Sequence, residues 1–442
     1  MKTARQIAVE ALGKVNGSKG YSNIVIDKAL EQSGLDLRDA AFATALFYGV
    51  LERMLTLDHC IAGFSKTPVE KLTPQVREIL RVSLYQILYM DSVPDSAAVN
   101  EAVNLTRVFR KESAGGFVNG VLRAFLRSGK RVPRMAGSRA DQLSVQYSCP
   151  AWLVQLWLDS YGEENTEGIL KTSLGRPPVY IRANTLKTTA DALSSRLEEE
   201  GAVVRRDEME ENCLRVSGTG DVTALPAFQE GLFHVQDKSS QLCVKALDAR
   251  PGMRVLDICA APGGKSFTAA QWMHGEGELL AMDLYRARAA LVAEGAQRLG
   301  ICCIAAKEGD ASRYNSKLGL FDRVLCDAPC SGLGIIRRKP EIKYKNPEEL
   351  GEIPQLQYNI LSNSANYVKK GGILLYSTCT LNPGENEGVV ERFLAEHRDF
   401  APCRLPQSLG STGHTVTLFP HQGDTDGFFI STMERVRHDD KD

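Results

Sequence analysis

Five short stretches in the second half of the 442-residue chain each place a residue able to do chemistry at or just past the end of an apolar run. "VLDICAAPGGKS" puts Asp257 near the end of a strand, and the loop from Cys259 to Lys265 follows. Its Pro262-Gly263-Gly264 lets main chain approach a ligand before a helix begins. "LLAMDL" ends in Asp283, where an acidic side chain can grip ribose hydroxyls, and "EGDAS" adds Asp310, placed to accept from an adenine amino group. "VLCDAPCSGLG" brings Asp327, Pro329 and Cys330, and Ile373-Leu374-Leu375 runs into "YSTCTLNP", so Cys379 sits where a strand opens into a loop.

The glycine loop is neither GxGxxG nor a phosphate-binding loop of the Walker kind, which disfavours dinucleotides and nucleoside triphosphates. With Asp283 and Asp310 it makes S-adenosylmethionine (SAM) the leading cofactor. A buried free cysteine is usually a small hydrophobe, and Cys259 and Cys326 fit that description. Cys330 and Cys379 differ because they lie past strand ends, where ligands of such sheets bind. Two thiols and an acid suit one reaction well. Carbon 5 of a pyrimidine is too weak a nucleophile to take a methyl group unaided. A thiolate adding at carbon 6 activates it, and a second group must then help remove the carbon 5 proton. An acid such as Asp327 could hold the base and stabilise the adduct. Spacing alone does not say which cysteine attacks.

The elements that carry these residues fall into three textures. Residues 1–140 show apolar residues at helical spacing, such as Ile7, Ala8, Ala11 and Leu12, and end in the basic, aperiodic segment "SGKRVPRMAGSR", read as a linker. Residues 141–235 read as a small α+β module, with a helix through Trp152 and Trp157, a strand at "PPVYIRANTLK", a helix closed by Gly201 and a strand at "AVVRRD". Residues 236–442 alternate short buried strands with helices, which predicts a parallel, doubly wound α/β sheet. The 11 cysteines lack CxxC pairs, so neither a disulfide framework nor a metal site is expected. The N-terminus is amphipathic and charged, and no run approaches about 18 apolar residues, which predicts a cytoplasmic protein without a membrane partner. Without long heptads, a monomer is expected.

Charge is uneven. Residues 1–140 hold 20 Lys and Arg against 13 Asp and Glu, about +7, while the remainder is about −8. A basic module that meets a polyanion fits this split.

"CAAPGGK", "DAPCSGLG", "QLQYNIL", "GGILLYSTCTLNPGENE" and "PHQGDTDGFF", in order over about 170 residues, resemble the Sun-type RNA (cytosine-5) methyltransferase family. The resemblance implies a Rossmann-like methyltransferase domain, Cys379 as nucleophile, Cys330 as the residue assisting release, and Asp327 in the catalytic set. It implies SAM contacts at Cys259, Ala260, Ala261, Pro262, Gly263, Gly264, Lys265, Asp283, Asp310 and Asp327. Thr380 and Gly384 depart from the family's usual serine and glutamate, away from the reacting groups. Lys265, Arg288 and Arg338 are candidate polar partners that read more simply as surface charge. "FVNGVLR" and its surroundings resemble the all-α NusB-like RNA-binding fold, and the middle module resembles the family's RNA-recognition-like domain. This combination implies 16S ribosomal RNA as substrate. Transfer RNA, or a binding role in ribosome assembly without catalysis, are the alternatives. Arg5, Arg107, Arg110, Arg123, Arg182 and Asn184 are the candidate RNA contacts, the basic ones through phosphates. Reversing the charge of Arg107 and Arg110 together is expected to weaken binding to 16S RNA; unchanged affinity at low salt in a filter-binding titration would remove them from the surface.

Overall fold

The structure, a computed structural model, describes residues 2–17 and 22–436. The chain forms two compact units, Met1–Gly175 with Ile336–Lys345, and Arg176–Ile335 with Asn346–Asp442. The first is helical. Its helices Ala4–Gly17, Leu37–Phe64, Pro74–Tyr89, Asp95–Val108 and Gly115–Arg127 turn their apolar stripes onto one core around Leu12, Phe47, Leu80 and Phe125. Asp36 caps the long helix by accepting from the Asp39 amide, and Pro74 opens the next one at a position where its missing N–H costs nothing. Helix Leu37–Phe64 is long and apolar enough by composition to cross a membrane, yet Leu46, Phe47, Val50, Leu57 and Ile61 are spent on this core. Residues 131–136, within the expected linker, are irregular, and two further helices, Arg139–Tyr147 and Ala151–Thr172, belong to the same unit. The second breaks at Gly162, whose φ is +75°.

The segment 336–345 completes this unit. Lys343 is buried, donates from Nζ to the Glu52 carbonyl at 2.7 Å, and burial lowers its pKa to about 8. Tyr344 donates to the Leu51 carbonyl at 3.0 Å, and Glu341 accepts from the Ser22 hydroxyl at 2.8 Å.

The second unit holds two sheets. In the smaller, β1 (Val179–Ala183), β2 (Val203–Arg206), β3 (Cys213–Ser217) and β4 (Phe233–Val235) lie in the order β2-β3-β1-β4, all antiparallel. Ile181, Leu214 and Val216 meet Leu193 and Leu197 of helix Ala190–Glu199 in its core. The larger sheet contains β5 (Arg254–Asp257), β6 (Glu278–Asp283), β7 (Ile304–Glu308), β8 (Phe321–Asp327), β9 (Val368–Thr378), β10 (Phe400–Pro402), β11 (Thr415–Leu418) and β12 (Phe428–Arg435). Its order is β10-β12-β9-β8-β5-β6-β7, with β11 on β12. Strands β5 to β9 are parallel, as expected. The sheet as a whole is mixed, because β12 runs antiparallel to β9, and β10 and β11 antiparallel to β12. Only β11 and β12 are joined by a short connection, residues 419–427, of the kind that pairs strands antiparallel.

Both faces of this sheet are covered, and alternation along each strand assigns its side chains to one core or the other. Leu375, Leu325 and Val255 pack with helices Lys238–Leu247 and Gly264–Trp272; Leu374, Val324 and Leu256 pack with Ile353–Ala365 and Glu387–Glu396. The chain runs outward from β5 to β6 and β7 in one direction and to β8 and β9 in the other, so the strand order reverses at β5 and opens a ligand crevice at the carboxyl ends. Leu375→Ala, which empties the middle of a central strand, is expected to destabilise this unit by about 3 kcal/mol. Chemical denaturation of the full chain, followed by a probe in the second unit, measures it.

Candidate active site

Asp257 ends β5, and its carboxylate is buried: Oδ2 accepts from Ser266 Oγ at 2.7 Å, while Oδ1 has no partner. Burial raises its pKa to about 7. The loop beyond it is held from two sides. Asp283, at the end of β6, accepts from the Ala261 amide at 3.3 Å, and Arg288 donates to the Ala261 carbonyl at 3.0 Å. Gly263 has φ +110°, and a Cβ there would lie 2.4 Å from the Phe267 ring, so no larger residue fits. Helix Gly264–Trp272 starts at the next residue and points its free N–H groups at the crevice. Asp310 stands two residues past β7; the Ser312 hydroxyl and amide donate to it and hold its pKa low. A buried acid with one oxygen unpaired, a loop trimmed of side chain, and acids at the end of β6 and just past β7 suit a cationic, ribose-bearing ligand such as SAM. Cys259 to Lys265, Asp283 and Asp310 would hold it.

Beside this crevice, β8 and β9 pair in register with Asp327 opposite Ser377. Asp327 Oδ1 accepts from Ser377 Oγ at 2.7 Å and Oδ2 from Lys265 Nζ at 2.7 Å. Lys265, read from sequence as a loop contact or surface charge, is a partly buried partner of Asp327, with Nζ 5.1 Å from the Phe428 ring centroid. Burial alone would lower its pKa; Asp327 overrides that and raises it, so the ammonium stays charged. Past the two strand ends, Cys330 Sγ and Cys379 Sγ approach to 3.3 Å. Its hydrogen bond to Cys379, together with burial, drives the Cys330 thiol well above its ordinary range. Cys326, two residues before Ala328, is fully buried in the core, as its apolar reading implies.

Three polar residues in this corner carried no role in the sequence reading: Gln357, Glu385 and Asn386, all buried around the cysteine loops. Their only signal was membership of "QLQYNIL" and "GENE".

Arg182 and Asn184 are corrected from RNA contacts to internal braces. Arg182 is 2% exposed and donates to Gln271 Oε1 at 2.9 Å and Glu210 Oε1 at 3.0 Å. Asn184 is fully buried, with Nδ2 donating to the carbonyls of Gly231 and Leu299. A buried guanidinium must be paired, and these groups leave it nothing to offer a phosphate. Arg5 is half-buried, with Nε on Gln86 Oε1 at 2.8 Å and its guanidinium over the Phe42 ring. Arg107, Arg110 and Arg123 are exposed on the helical unit.

A parallel sheet with this order and an antiparallel β12, a glycine loop opening a helix after β5 and acids after β6 and β7 define a SAM-dependent methyltransferase. Residues 244–434 match the family described as 16S rRNA methyltransferase RsmB/F, residues 149–223 the RsmF/B-like ferredoxin-like domain, and residues 2–127 the NusB family. The chain is 37% identical to the probable ribosomal RNA small subunit methyltransferase B of Bacillus subtilis, over 98% of this chain and 99% of the relative. It is 36% identical to the protein of the same name from Synechocystis, over 99% and 100%. The crystal structure of PH0851 superimposes with a TM-score of 0.81 at 27% identity, covering 98% of each chain. The chain belongs to the RsmB/F methyltransferase family, with a NusB domain ahead of a ferredoxin-like and a methyltransferase domain.

The Asp257 carboxyl titrates near 3.8 when unfolded and near 7 when folded, so the folded state holds the extra proton between those values. Its contribution to stability is therefore lost as pH rises from about 4 to 7. Asp257→Asn is expected to flatten that slope and to melt higher than the parent above pH 7 in SAM-free protein; identical pH profiles of thermal unfolding would contradict it.

Proposed function

We propose that this protein methylates carbon 5 of a cytosine in 16S ribosomal RNA, with Cys379 attacking and Cys330 releasing. The observation that carries the reading is the pair of sulfurs 3.3 Å apart beside the Lys265–Asp327 ion pair. The Cys379 thiolate adds to carbon 6 of the base, forming a carbon–sulfur bond and turning carbon 5 into an enamine-like nucleophile. Bound SAM supplies an electrophilic methyl group. Asp327, fixed by Ser377 and Lys265, is positioned to accept from the exocyclic amine, which favours cytosine over uracil, and Lys265 balances charge that develops on the ring. Once carbon 5 carries the methyl group, a base removes its proton with the assistance of Cys330; that electron pair re-forms the ring double bond and expels the Cys379 thiolate.

The RNA substrate is supported by the names of the relatives and by the basic helical unit. Such a substrate is cytoplasmic, and its target base must be unpaired or flipped out of a stack to reach Cys379. Wild type, Cys330→Ala and Cys379→Ala, each incubated with SAM and a 16S transcript and run on a denaturing gel, test the assignment. A retarded, RNA-linked band in Cys330→Ala and none in Cys379→Ala is expected. The reverse pattern inverts the roles, and the absence of both linkage and methyl transfer in every form removes the reaction.

A further inference from the structure

The Glu385 carboxylate is fully buried in the turn that precedes helix Glu387–Glu396, and among the described residues no lysine or arginine pairs with it. Three neutral donors satisfy it instead. Oε2 accepts from the Ser331 amide at 2.8 Å and from Gln357 Nε2 at 3.0 Å; Oε1 accepts from Asn382 Nδ2 at 2.9 Å. Gln357 Nε2 also donates to the Pro329 carbonyl at 3.0 Å. The two chain neighbours of Cys330, Pro329 and Ser331, are thus both tied to this cluster. Asn386 does the corresponding job for the other cysteine. Its Oδ1 accepts from Thr378 Oγ1 at 2.6 Å and its Nδ2 donates to the Thr380 carbonyl at 3.0 Å, which grips both neighbours of Cys379. Burying a carboxylate without a counter-charge is expensive, and filling the same space with an apolar side chain would not be. The requirement is for an acceptor that gathers the Cys330 loop.

We propose that Glu385 is a positioning residue for the release step: by accepting from Ser331 and Gln357 it holds Cys330 within reach of the carbon 5 proton, while Asn386 positions Cys379 for attack. The proposal rests on Cys379 attacking and Cys330 releasing. Adjacent residues in the chain then control different steps of one reaction, which a purely structural role would not produce.

The test uses the full chain with SAM and a 16S transcript, and compares wild type with Cys330→Ala, Glu385→Ala, Glu385→Gln, Gln357→Ala and Asn386→Ala. RNA-linked protein and multiple-turnover methylation are both read, with SAM binding as the check on folding. Glu385→Ala is expected to accumulate the linked species and to lose turnover on the order of 10²-fold, the effect of a small misplacement of a reacting group. Glu385→Gln keeps a carbonyl oxygen for Ser331 and Gln357 and restores most of the release. Gln357→Ala accumulates the adduct to a smaller degree, and Asn386→Ala loses adduct and turnover together. If Cys330→Ala links RNA but neither Glu385→Ala nor Gln357→Ala accumulates more adduct than wild type, the positioning role is wrong and the cysteine assignment stands. Equal accumulation in Asn386→Ala also overturns it. Should Glu385→Ala fail to bind SAM, Gln357→Ala alone decides, by the same criterion. If Cys330→Ala links no RNA, the cysteine assignment falls and this proposal falls with it.

Discussion

The site depends on the parallel pairing of β8 with β9. Because side chains alternate along a strand and adjacent strands lie about 5 Å apart, the register fixes which side chains meet beyond the strand ends. With Asp327 opposite Ser377, the acid receives its hydroxyl partner, and the two loops leave the sheet side by side so that their cysteines touch. A slip of one residue would turn Asp327 and Ser377 to opposite faces and separate the sulfurs. The alternation of Leu374 and Leu375 between two cores resists such a slip, since it would exchange the side chains assigned to each face.

Charge is handled differently on the two sides of this pairing. On the cofactor side Lys265 and Asp327 neutralise one another, with Ser377 completing the acid, and burial raises the pKa of Asp257 to about 7. On the cysteine side Glu385 is satisfied by amides alone. The corner therefore has a full set of fixed dipoles around two polarizable sulfurs. Such preorganised surroundings reorient little when charge shifts within the site.

Much of this was legible in the sequence because strand ends and loops of special composition write themselves into local pattern. Asp257, Asp283 and Asp327 terminate β5, β6 and β8, Asp310 follows β7, and the cysteine loops follow β8 and β9. What was missed depends on partners distant in sequence. The resemblance put Lys265 in the cofactor loop, but its ion pair with Asp327, 62 residues away, leaves no local trace. Arg182 sits in a strand between Ile181 and Ala183 and was read as an RNA contact, yet Gln271 and Glu210 draw it inside. Of the antiparallel strands, β10 and β11 are only three and four residues long, too short for a pattern of their own, and they find their place by pairing with β12, which itself pairs with β9.

The helical unit is discontinuous in the chain: residues 2–175 are completed by 336–345, which supply Lys343 and Tyr344 to the carbonyls of Glu52 and Leu51. During synthesis the N-terminal helices leave the ribosome first and begin to pack as a unit. They wait through about 160 further residues, roughly 10–30 s at ordinary elongation rates, before the last piece of their own surface arrives. By then β5 to β8 have emerged, so the final closure of the helical unit follows the appearance of the Cys330 loop, and the newborn enzyme acquires both within moments of each other.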